Sequence, residues 1–300
     1  MVSCVIGVDV GGTNIRLGAV VEEGTLFHQS HISSKNIKGE NAGERLLQLV
    51  KEYCETIPDM DVCAVSIGFP STLNRERTVV LSTPNVDGLN QVAFGDRYTK
   101  ALGLPVFGEK DSCMLMYYDM LSYPFLKKGL SIGIYVGTGL GNVILLDGGP
   151  LSGKNGAAGE LSHIPVLHHD DKCGCGLEGC LELYAGGRGL ESVAAACYPG
   201  EFIGGIFKDH TDEEPVLEYL KGLAQAISIE ATLLDPDYLC LGGGVLHMEG
   251  FPQGRLLDLV KTYTRQPLPG ENLEIVFSEQ GTYNGVIGAG LYGWHRLNSK

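Results

Sequence analysis

Three cysteines and one histidine have the most distinctive spacing of any reactive side chains in this sequence. Cys173, Cys175 and Cys180 form a C-x-C-x4-C pattern, and His163 lies ten residues before the first of them. Thiolates and imidazole nitrogens are ligands that Zn²⁺ prefers, and four of them complete a tetrahedral structural site. Glycines between the cysteines allow the tight turns that aim several sulfurs at one point. The pattern predicts a structural zinc site in a loop over residues 159–182, with free thiols as the alternative.

Glycine-rich turns at the ends of apolar segments are a second group that could do chemistry. They are Gly11-Gly12-Thr13, Gly137-Thr138-Gly139 and Gly242-Gly243-Gly244. Backbone N–H groups in such turns can approach phosphate oxygens without side-chain obstruction. One such turn is typical of an ordinary hairpin, whereas three in one acidic α/β chain favour nucleotide binding.

Two carboxylates, Asp9 and Asp111, stand at the ends of apolar segments. Asp9 ends the first apolar segment, where it could hold Mg²⁺, which binds one or two carboxylates plus phosphates, or cap the turn. Asp111 follows the apolar pair Val106-Phe107 at a predicted strand-to-helix junction, where it could cap the helix. It could also act as a general base for a hydroxyl group, since phosphoryl transfer needs mainly positioning and one such base.

The segments that must position these residues alternate between strand and helix patterns. Strands are predicted at 5–10, 15–21, 62–69, 105–107, 132–137 and 238–241, and helices at 41–55, within 85–102, and at 112–121, 215–234 and 285–297. This alternation implies an α/β class with sheets covered on both faces. The segment 132–137 also matches 6–11 in hydrophobicity and glycine placement, which predicts a duplicated domain, with chance similarity of two glycine turns as the alternative.

The whole chain narrows the function classes. Its 300 residues and 44% hydrophobic content suit one large or two medium domains, and its net charge of −14 argues against nucleic acid or an anionic membrane as a partner. We expect no secretory signal, and no apolar run approaches the ~20 residues that span a bilayer. Nine cysteines, an odd number and mostly scattered singly, predict reduced thiols in a cytoplasmic protein.

Five motifs together resemble the ROK family, which contains repressors, open reading frames and sugar kinases. They are DVGGTN (9–14), GTGLG (137–141), GELSH (159–163), CGCGLEGCLE (173–182) and LGGG (241–244). The resemblance implies an actin/hexokinase-like (ribonuclease H-like) duplicated two-domain fold, with ATP and sugar meeting in a cleft between the domains. We predict a small domain over 1–110 plus 285–300, and a large domain over 111–284 that carries the zinc loop.

The resemblance also implies roles for individual residues. Asp111 matches the catalytic base of the family, and His163 matches a residue that serves both zinc and sugar. The implied sugar contacts are Asn85, Lys110, Asp111, Glu160, His163 and Glu182. The implied cofactor residues are Asp9, Gly11, Gly12, Thr13, Asn14, Gly137, Thr138 and Gly139 on the phosphate side and Gly243 and Gly244 on the adenosine side. The expected cofactors are ATP, Mg²⁺ and structural Zn²⁺, and the family resemblance favours a homodimer.

Lys110 departs from the family pattern. The sequence around the base is Lys110-Asp111-Ser112-Cys113, where the family has Asn-Asp-Ala-Asn. A basic residue at this position resembles the branch that phosphorylates D-allose, which differs from glucose in the orientation of its 3-hydroxyl. The prediction is therefore ATP-dependent conversion of D-allose to its 6-phosphate, with glucose, mannose, fructose or N-acetylmannosamine as alternatives. A sugar-sensing repressor is less expected, because the phosphate motif begins at residue 9 and the chain is acidic.

Overall fold

The computed structural model describes residues 1–83 and 86–299. The strands are β1 (Val2–Val10), β2 (Asn14–Val20), β3 (Leu26–Ser33), β4 (Met60–Phe69), β5 (Thr72–Leu73), β6 (Val79–Ser82), β7 (Val92–Ala93), β8 (Val106–Lys110), β9 (Leu130–Val136), β10 (Leu140–Leu146), β11 (Gly149–Pro150), β12 (Tyr238–Gly242) and β13 (Ile275–Phe277). The α-helices are α1 (Ala42–Glu55), α2 (Gly95–Leu102), α3 (Asp111–Ser122), α4 (Glu182–Ala185), α5 (Gly187–Cys197), α6 (Ile206–His210), α7 (Glu214–Leu234), α8 (Gln253–Tyr263) and α9 (Asn284–Asn298). Within the described ranges, no helix combines the length and the apolar content that crossing a membrane requires.

The first compact unit, unit 1, comprises Met1–Phe125, Ser152–Ala158 and Gly281–Lys300. Its main sheet has the order β3-β2-β1-β4-β8, in which β1 pairs antiparallel with β2 and parallel with β4. Alternation along β1 serves both faces of the sheet. Ile6 and Val8 join a buried cluster with Leu46 of α1, whereas Gly7 lets the backbone of α9 approach closely, because an added Cβ would lie 2.1 Å from the Val286 oxygen.

The second compact unit, unit 2, comprises Leu126–Leu151 and Gly159–Gln280. Its sheet has the order β11-β10-β9-β12-β13, with β9 antiparallel to β10 and parallel to β12. The long helix α7 supplies much of the core, since Leu220, Leu223 and Ile227 are fully buried. It ends at Leu234, and its C-cap residue Asp235 adopts a left-handed conformation directly before Pro236.

The two main sheets have the same topology, which confirms the predicted repeat. In each sheet an antiparallel hairpin closes through a glycine turn, and two parallel strands follow on the other side of the first hairpin strand. Such a parallel arrangement brings the carboxyl ends of three strands to one edge of each sheet. Loops at this edge are where open α/β sheets bind ligands.

We predicted a domain boundary between residues 110 and 111, whereas the first compact unit continues to Phe125 and includes helix α3. This helix belongs to unit 1 because it packs on α9, where the rings of Tyr117 and Tyr292 meet edge to face at 5.2 Å. Gly288 permits the close approach, since an added Cβ would overlap the Met114 carbonyl oxygen. The short segment Ser152–Ala158 also belongs to unit 1, although its neighbours on both sides in the chain belong to unit 2.

Candidate functional site

The two predicted carboxylates of unit 1 lie at one edge of its sheet. Asp9 of β1 is level with Gly68 of β4, and Gly68 is level with Glu109 of β8. Neighbouring strands are about 4.8 Å apart, so Asp9 and the end of β8 are within about 10 Å of each other. Asp111 begins α3 directly after β8, and a Cβ on Gly68 would lie 3.7 Å from its Cα. Sequence reasoning identified both residues, and the sheet brings them to the same edge.

Asp9 lies between a cation and the first turn of α9. Its Oδ2 is 3.4 Å from Arg16 Nη1, and a Cβ on Gly285 would lie 2.9 Å from its Cγ. Burial raises the pKa of the Asp9 carboxyl, and the neighbouring Arg16 lowers it. Arg16 thus offsets only part of the cost of burying the negative charge of Asp9. A bound cation would stabilise the charged form of the carboxylate further.

The turn between β1 and β2 is anchored through its carbonyl groups. Gly11 N donates to Asn14 O at 2.9 Å and closes the turn. Ser34 Oγ donates to Gly11 O at 2.6 Å, and Ser34 N donates to Thr13 O at 2.9 Å. Thr13 itself is exposed. The turn is therefore fixed on one side by Ser34, and Thr13 is exposed to solvent.

In unit 2 the second and third glycine turns are neighbours. The first residues of α5 hold the second turn, because Gly187 N donates to Gly137 O and Arg188 N to Thr138 O, each at 3.0 Å. In the third turn, Gly243 has φ +97°, and a Cβ there would lie 2.4 Å from the backbone nitrogen and oxygen of Val136. Only glycine fits such a position. The two turns thus meet at the carboxyl ends of β9 and β12.

Glu182 lies against the second glycine turn. It begins α4, and its Oε2 accepts a hydrogen bond of 3.4 Å from Leu140 N. A Cβ on Gly139 would lie 2.3 Å from the same oxygen. Sequence reasoning grouped Glu182 with the sugar contacts and missed its contact with the turn, because no local pattern links residues about 40 positions apart.

Four side chains converge as the zinc pattern predicts. One ligand atom from each of His163, Cys173, Cys175 and Cys180 lies within 4.8 Å of the others. Cys173 Sγ is 3.7 Å from His163 Nδ1, and Cys175 Sγ is 3.6 Å from Cys180 Sγ. Tetrahedral Zn–S bonds of about 2.3 Å separate two sulfurs by about 3.8 Å, so the donor set and its spacing fit Zn²⁺. Burial raises the pKa of the Cys180 thiol to about 12, and hydrogen bonds with the other two cysteines add to the rise.

His163 faces two groups at once. Its Nδ1 points to the cysteines, whereas its Nε2 is 3.9 Å from Glu160 Oε2. The short 3-10 turn Leu161–His163 produces this arrangement, since His163 N donates to Glu160 O at 3.1 Å. Gly159 seats the start of the turn on β10, with φ +74° and an added Cβ only 2.7 Å from Asn142 Oδ1. The resemblance predicted this double role, and the geometry is compatible with it.

The remaining predicted residues lie near the start of α3 or outside the described residues. Lys110 Nζ donates to Ala158 O at 3.0 Å, and Ser112 N donates to Asp111 Oδ1 at 2.7 Å. Asn85 lies outside the described residues. Sequence reasoning also missed a buried ion pair next to this region, between Arg77 and Glu109.

The fold and the converging cysteine group define a class, a two-unit α/β protein with glycine turns at the sheet edges. The family model "ROK family" matches residues 5–293, so the chain belongs to the ROK family. A glucokinase of Thermotoga maritima is 24% identical, with 95% of each chain covered. An N-acetyl-D-glucosamine kinase of Pectobacterium carotovorum is 27% identical, covering 95% of this chain and 97% of its own.

A solved structure agrees over nearly the whole chain. The ROK family glucokinase of Streptomyces griseus, determined in complex with glucose and AMPPNP, has a TM-score of 0.75 and 27% identity. The match covers 96% of this chain and 98% of that one. The predicted fold class is therefore confirmed. At the level of enzyme class, so is the prediction of an ATP-dependent sugar kinase, because the relatives are named sugar kinases.

Proposed function

We propose that this chain transfers the γ-phosphoryl group of ATP to a primary hydroxyl of a hexose, with D-allose as the preferred substrate. The observation that carries the proposal is the shared edge in unit 1. There Asp9 and the first glycine turn stand at the carboxyl end of β1, and Asp111 follows the carboxyl end of β8, with β4 between these two strands. We further propose that it acts as a homodimer, which the family resemblance supports, in the cytoplasm, which the odd number of scattered cysteines supports.

Asp111 is the proposed catalytic base. Its position at the start of α3 leaves a carboxylate at the sheet edge, with Oδ1 held by Ser112 N. Asp111 accepts the proton of the sugar hydroxyl while the hydroxyl oxygen bonds to the γ-phosphorus and the bond from that phosphorus to ADP breaks. Mg²⁺, when bound, would neutralise charge on the phosphates, and Asp9 is the residue that would hold it, directly or through water.

The glycine turns are the proposed phosphate and adenosine contacts. Gly11–Thr13 and Gly137–Gly139 would bind phosphate oxygens through backbone N–H groups, and Gly243 and Gly244 would flank the adenosine. The anchoring of both phosphate turns, by Ser34 in unit 1 and by the start of α5 in unit 2, supports this role. A turn that is already fixed loses little entropy on binding its ligand.

Glu160, His163 and Glu182 are the proposed sugar contacts of unit 2. Zn²⁺ held by His163 and the three cysteines would fix the imidazole ring, as a closed four-ligand site with no open position for catalysis. His163 would then present Nε2 toward a sugar hydroxyl, because Nδ1 faces the cysteines. Carboxylates and an imidazole can hydrogen-bond several hydroxyl groups, which suits a hexose.

D-Allose is proposed because Lys110 replaces the amide that the family pattern has beside the base. A site that hydrogen-bonds one hydroxyl epimer discriminates against the other, because its buried polar groups then lack a partner. We expect ADP release from the wild-type protein to be fastest with allose in a panel of allose, glucose, mannose, fructose, N-acetylmannosamine and N-acetylglucosamine. A higher kcat/KM for any other sugar would reassign the substrate, and no ADP release with any sugar would overturn the proposed function.

The variant Lys110→Asn tests whether this position carries the preference. It restores the residue type of the general family pattern, and we expect the ratio of kcat/KM for allose to that for glucose to fall about tenfold, the value of one hydrogen bond. The exposed Lys100→Asn on α2 is the control with the same chemical change. An unchanged ratio in Lys110→Asn would remove this residue from the sugar contacts.

A further prediction concerns the second glycine turn. In Gly187→Ala the added Cβ would lie 2.2 Å from Gly137 O, so the turn must shift. We expect the KM for ATP to rise about tenfold or more, because displaced N–H groups no longer converge on a phosphate. Gly222→Ala is the matched control, a helical glycine whose added Cβ has its nearest neighbour at 3.7 Å. Equal ATP kinetics in the two variants would contradict a phosphate role for this turn.

A further inference from the structure

A buried ion pair lies at the end of β8 in unit 1, two residues before Asp111. Arg77 Nε donates to Glu109 Oε2 at 2.7 Å, and the two side chains are only 6% and 2% exposed. Arg77 Nη1 donates to Gly156 O at 2.8 Å and also approaches Leu73 O at 3.4 Å. A buried guanidinium is tolerated where its N–H groups have hydrogen-bond acceptors. Here the Arg77 side chain links strand β5, strand β8 and the segment Ser152–Ala158.

The turn that carries Arg77 is built to direct it inward. Asn74 Oδ1 accepts hydrogen bonds of 2.8 Å from the backbone nitrogens of both Thr78 and Val79. Arg77 has φ +56°, a left-handed conformation that is uncommon for a residue other than glycine, asparagine or aspartate. The surrounding structure therefore holds the arginine in a conformation that it would not adopt by preference.

The segment that Arg77 holds, Ser152–Ala158, is closely seated in unit 1. Gly156 has φ +81°, and a Cβ there would lie 2.5 Å from Leu73 O and 2.8 Å from the Asn74 carbonyl carbon. The Lys110 ammonium group makes a second tie, donating to Ala158 O at 3.0 Å. Two cations thus bind two carbonyl groups of one short segment.

Glu109 links this arrangement to the catalytic base. Its Oε2 accepts the hydrogen bond from Arg77 Nε, and its Oε1 accepts a hydrogen bond of 2.9 Å from Lys110 N. Asp111 is the next residue, at the point where β8 becomes α3. The direction of the Asp111 side chain depends on the backbone of Lys110, because a rotation there changes where α3 begins.

We propose that Arg77 is a positioning residue for Asp111. Through Glu109 it fixes the Lys110 backbone, and through Gly156 it fixes the segment that Lys110 also binds. The proposal rests on the proposed function, in which Asp111 is the base. Displacing a catalytic carboxylate by about 1 Å lowers the reaction rate on the order of a hundredfold. A small change in this buried ion pair is therefore expected to have a large effect on kcat.

The first test is Arg77→Lys, which keeps the buried charge but has a single nitrogen in place of the planar fork. That nitrogen is able to pair with Glu109 or with Gly156, but it does not reproduce both contacts. We expect kcat to fall about tenfold to a hundredfold with the preferred sugar, while the KM for ATP stays within about twofold. Wild-type kcat in a folded Arg77→Lys protein would overturn the proposal.

Gly156→Ala reaches the same segment from the other side and leaves the ion pair intact. The added Cβ collides with the Leu73 carbonyl, so the segment must lift, and we expect the same selective loss of kcat. Gly103→Ala is the matched control in unit 1, with φ +69° but nothing within 4 Å of the added Cβ. Equal loss of kcat in the two alanine variants would attribute the effect to general destabilisation and overturn the proposal.

A double-mutant cycle tests whether Arg77 acts through Asp111. In the Asp111→Asn background we expect Arg77→Lys to lower the residual kcat less than about twofold, because the group that it positions is gone. Two losses that multiply would mean that Arg77 acts independently of the base, against the proposal.

Amide hydrogen exchange over residues 152–158 and 108–112 separates failure of this inference from failure of the proposed function. We expect exchange about tenfold faster or more in Arg77→Lys and Gly156→Ala than in the wild type and Gly103→Ala, whatever the protein phosphorylates. Unchanged exchange would overturn the inference alone. A wild-type protein that phosphorylates no sugar would overturn the proposed function, with the exchange result still deciding the structural link.

Discussion

Asp111→Asn is expected to lower kcat for sugar phosphorylation by about 10²- to 10⁴-fold, the usual contribution of a general base. The asparagine has nearly the same shape, and its carbonyl oxygen can still accept the hydrogen bond that Ser112 N donates to Asp111 Oδ1. What it lacks is the ability to take a proton. Sugar binding measured by calorimetry should therefore persist, while ADP release in a coupled assay nearly stops.

The control for this prediction is Asp96→Asn. Asp96 is also an acidic residue in the first turn of a helix of unit 1, but it is exposed and lies on α2. Loss of the favourable interaction with the helix dipole, about 0.3–1 kcal/mol, is common to both variants. Because the dipole effect cancels, the difference in kcat between them reports the catalytic role. Turnover in Asp111→Asn close to that of Asp96→Asn would show that another group takes the proton.

The architecture was largely predictable because it depends on patterns that repeat along the chain. The strand patterns at 5–10 and 132–137, each followed by a glycine turn, correspond to β1 and β9. Each of these strands forms a hairpin and pairs in parallel with a later strand. The zinc-type group was predictable for a related reason, since its three cysteines lie within eight residues and local turns bring them together.

The links between distant segments were not predictable from the sequence. Arg77 stands in the run Arg75-Glu76-Arg77-Thr78, which reads as an exposed charged turn, yet its side chain is 6% exposed. Its partner Glu109 is 32 positions away, and no local periodicity indicates which of three neighbouring charges turns inward. The same holds for Ser152–Ala158, whose membership of unit 1 depends on tertiary contacts of Gly156 and Ala158. Such placements arise from packing rather than from propensity.

Removing the proposed zinc ligand Cys175 is expected to weaken sugar binding at least about tenfold, through His163. We expect the wild-type protein to carry about one zinc ion per chain, and the Cys175→Ser variant to lose it, because a hydroxyl is a poor substitute for a thiolate. Cys175 is exposed, whereas Cys173 and Cys180 are buried, so this substitution changes the ligand set with the least effect on packing. Metal content by mass spectrometry and sugar affinity by calorimetry measure the two effects.

The physical reason lies in the two nitrogens of one imidazole ring. Nδ1 lies 3.7 Å from Cys173 Sγ and Nε2 lies 3.9 Å from Glu160 Oε2, so Zn²⁺ bound by Nδ1 and the cysteines would fix the ring in this orientation. Without the metal the ring is free to rotate, and the proposed sugar contact loses its preorganisation, whereas the glycine turn at 137–139 is anchored by α5 and keeps its shape. The KM for the sugar should therefore rise while the KM for ATP changes little.

Cys197→Ser, which alters an exposed cysteine outside the group, should leave both unchanged. Zinc-free protein that binds sugar with wild-type affinity would separate the cysteine group from recognition, and the loop would then have to be stable through its backbone hydrogen bonds alone.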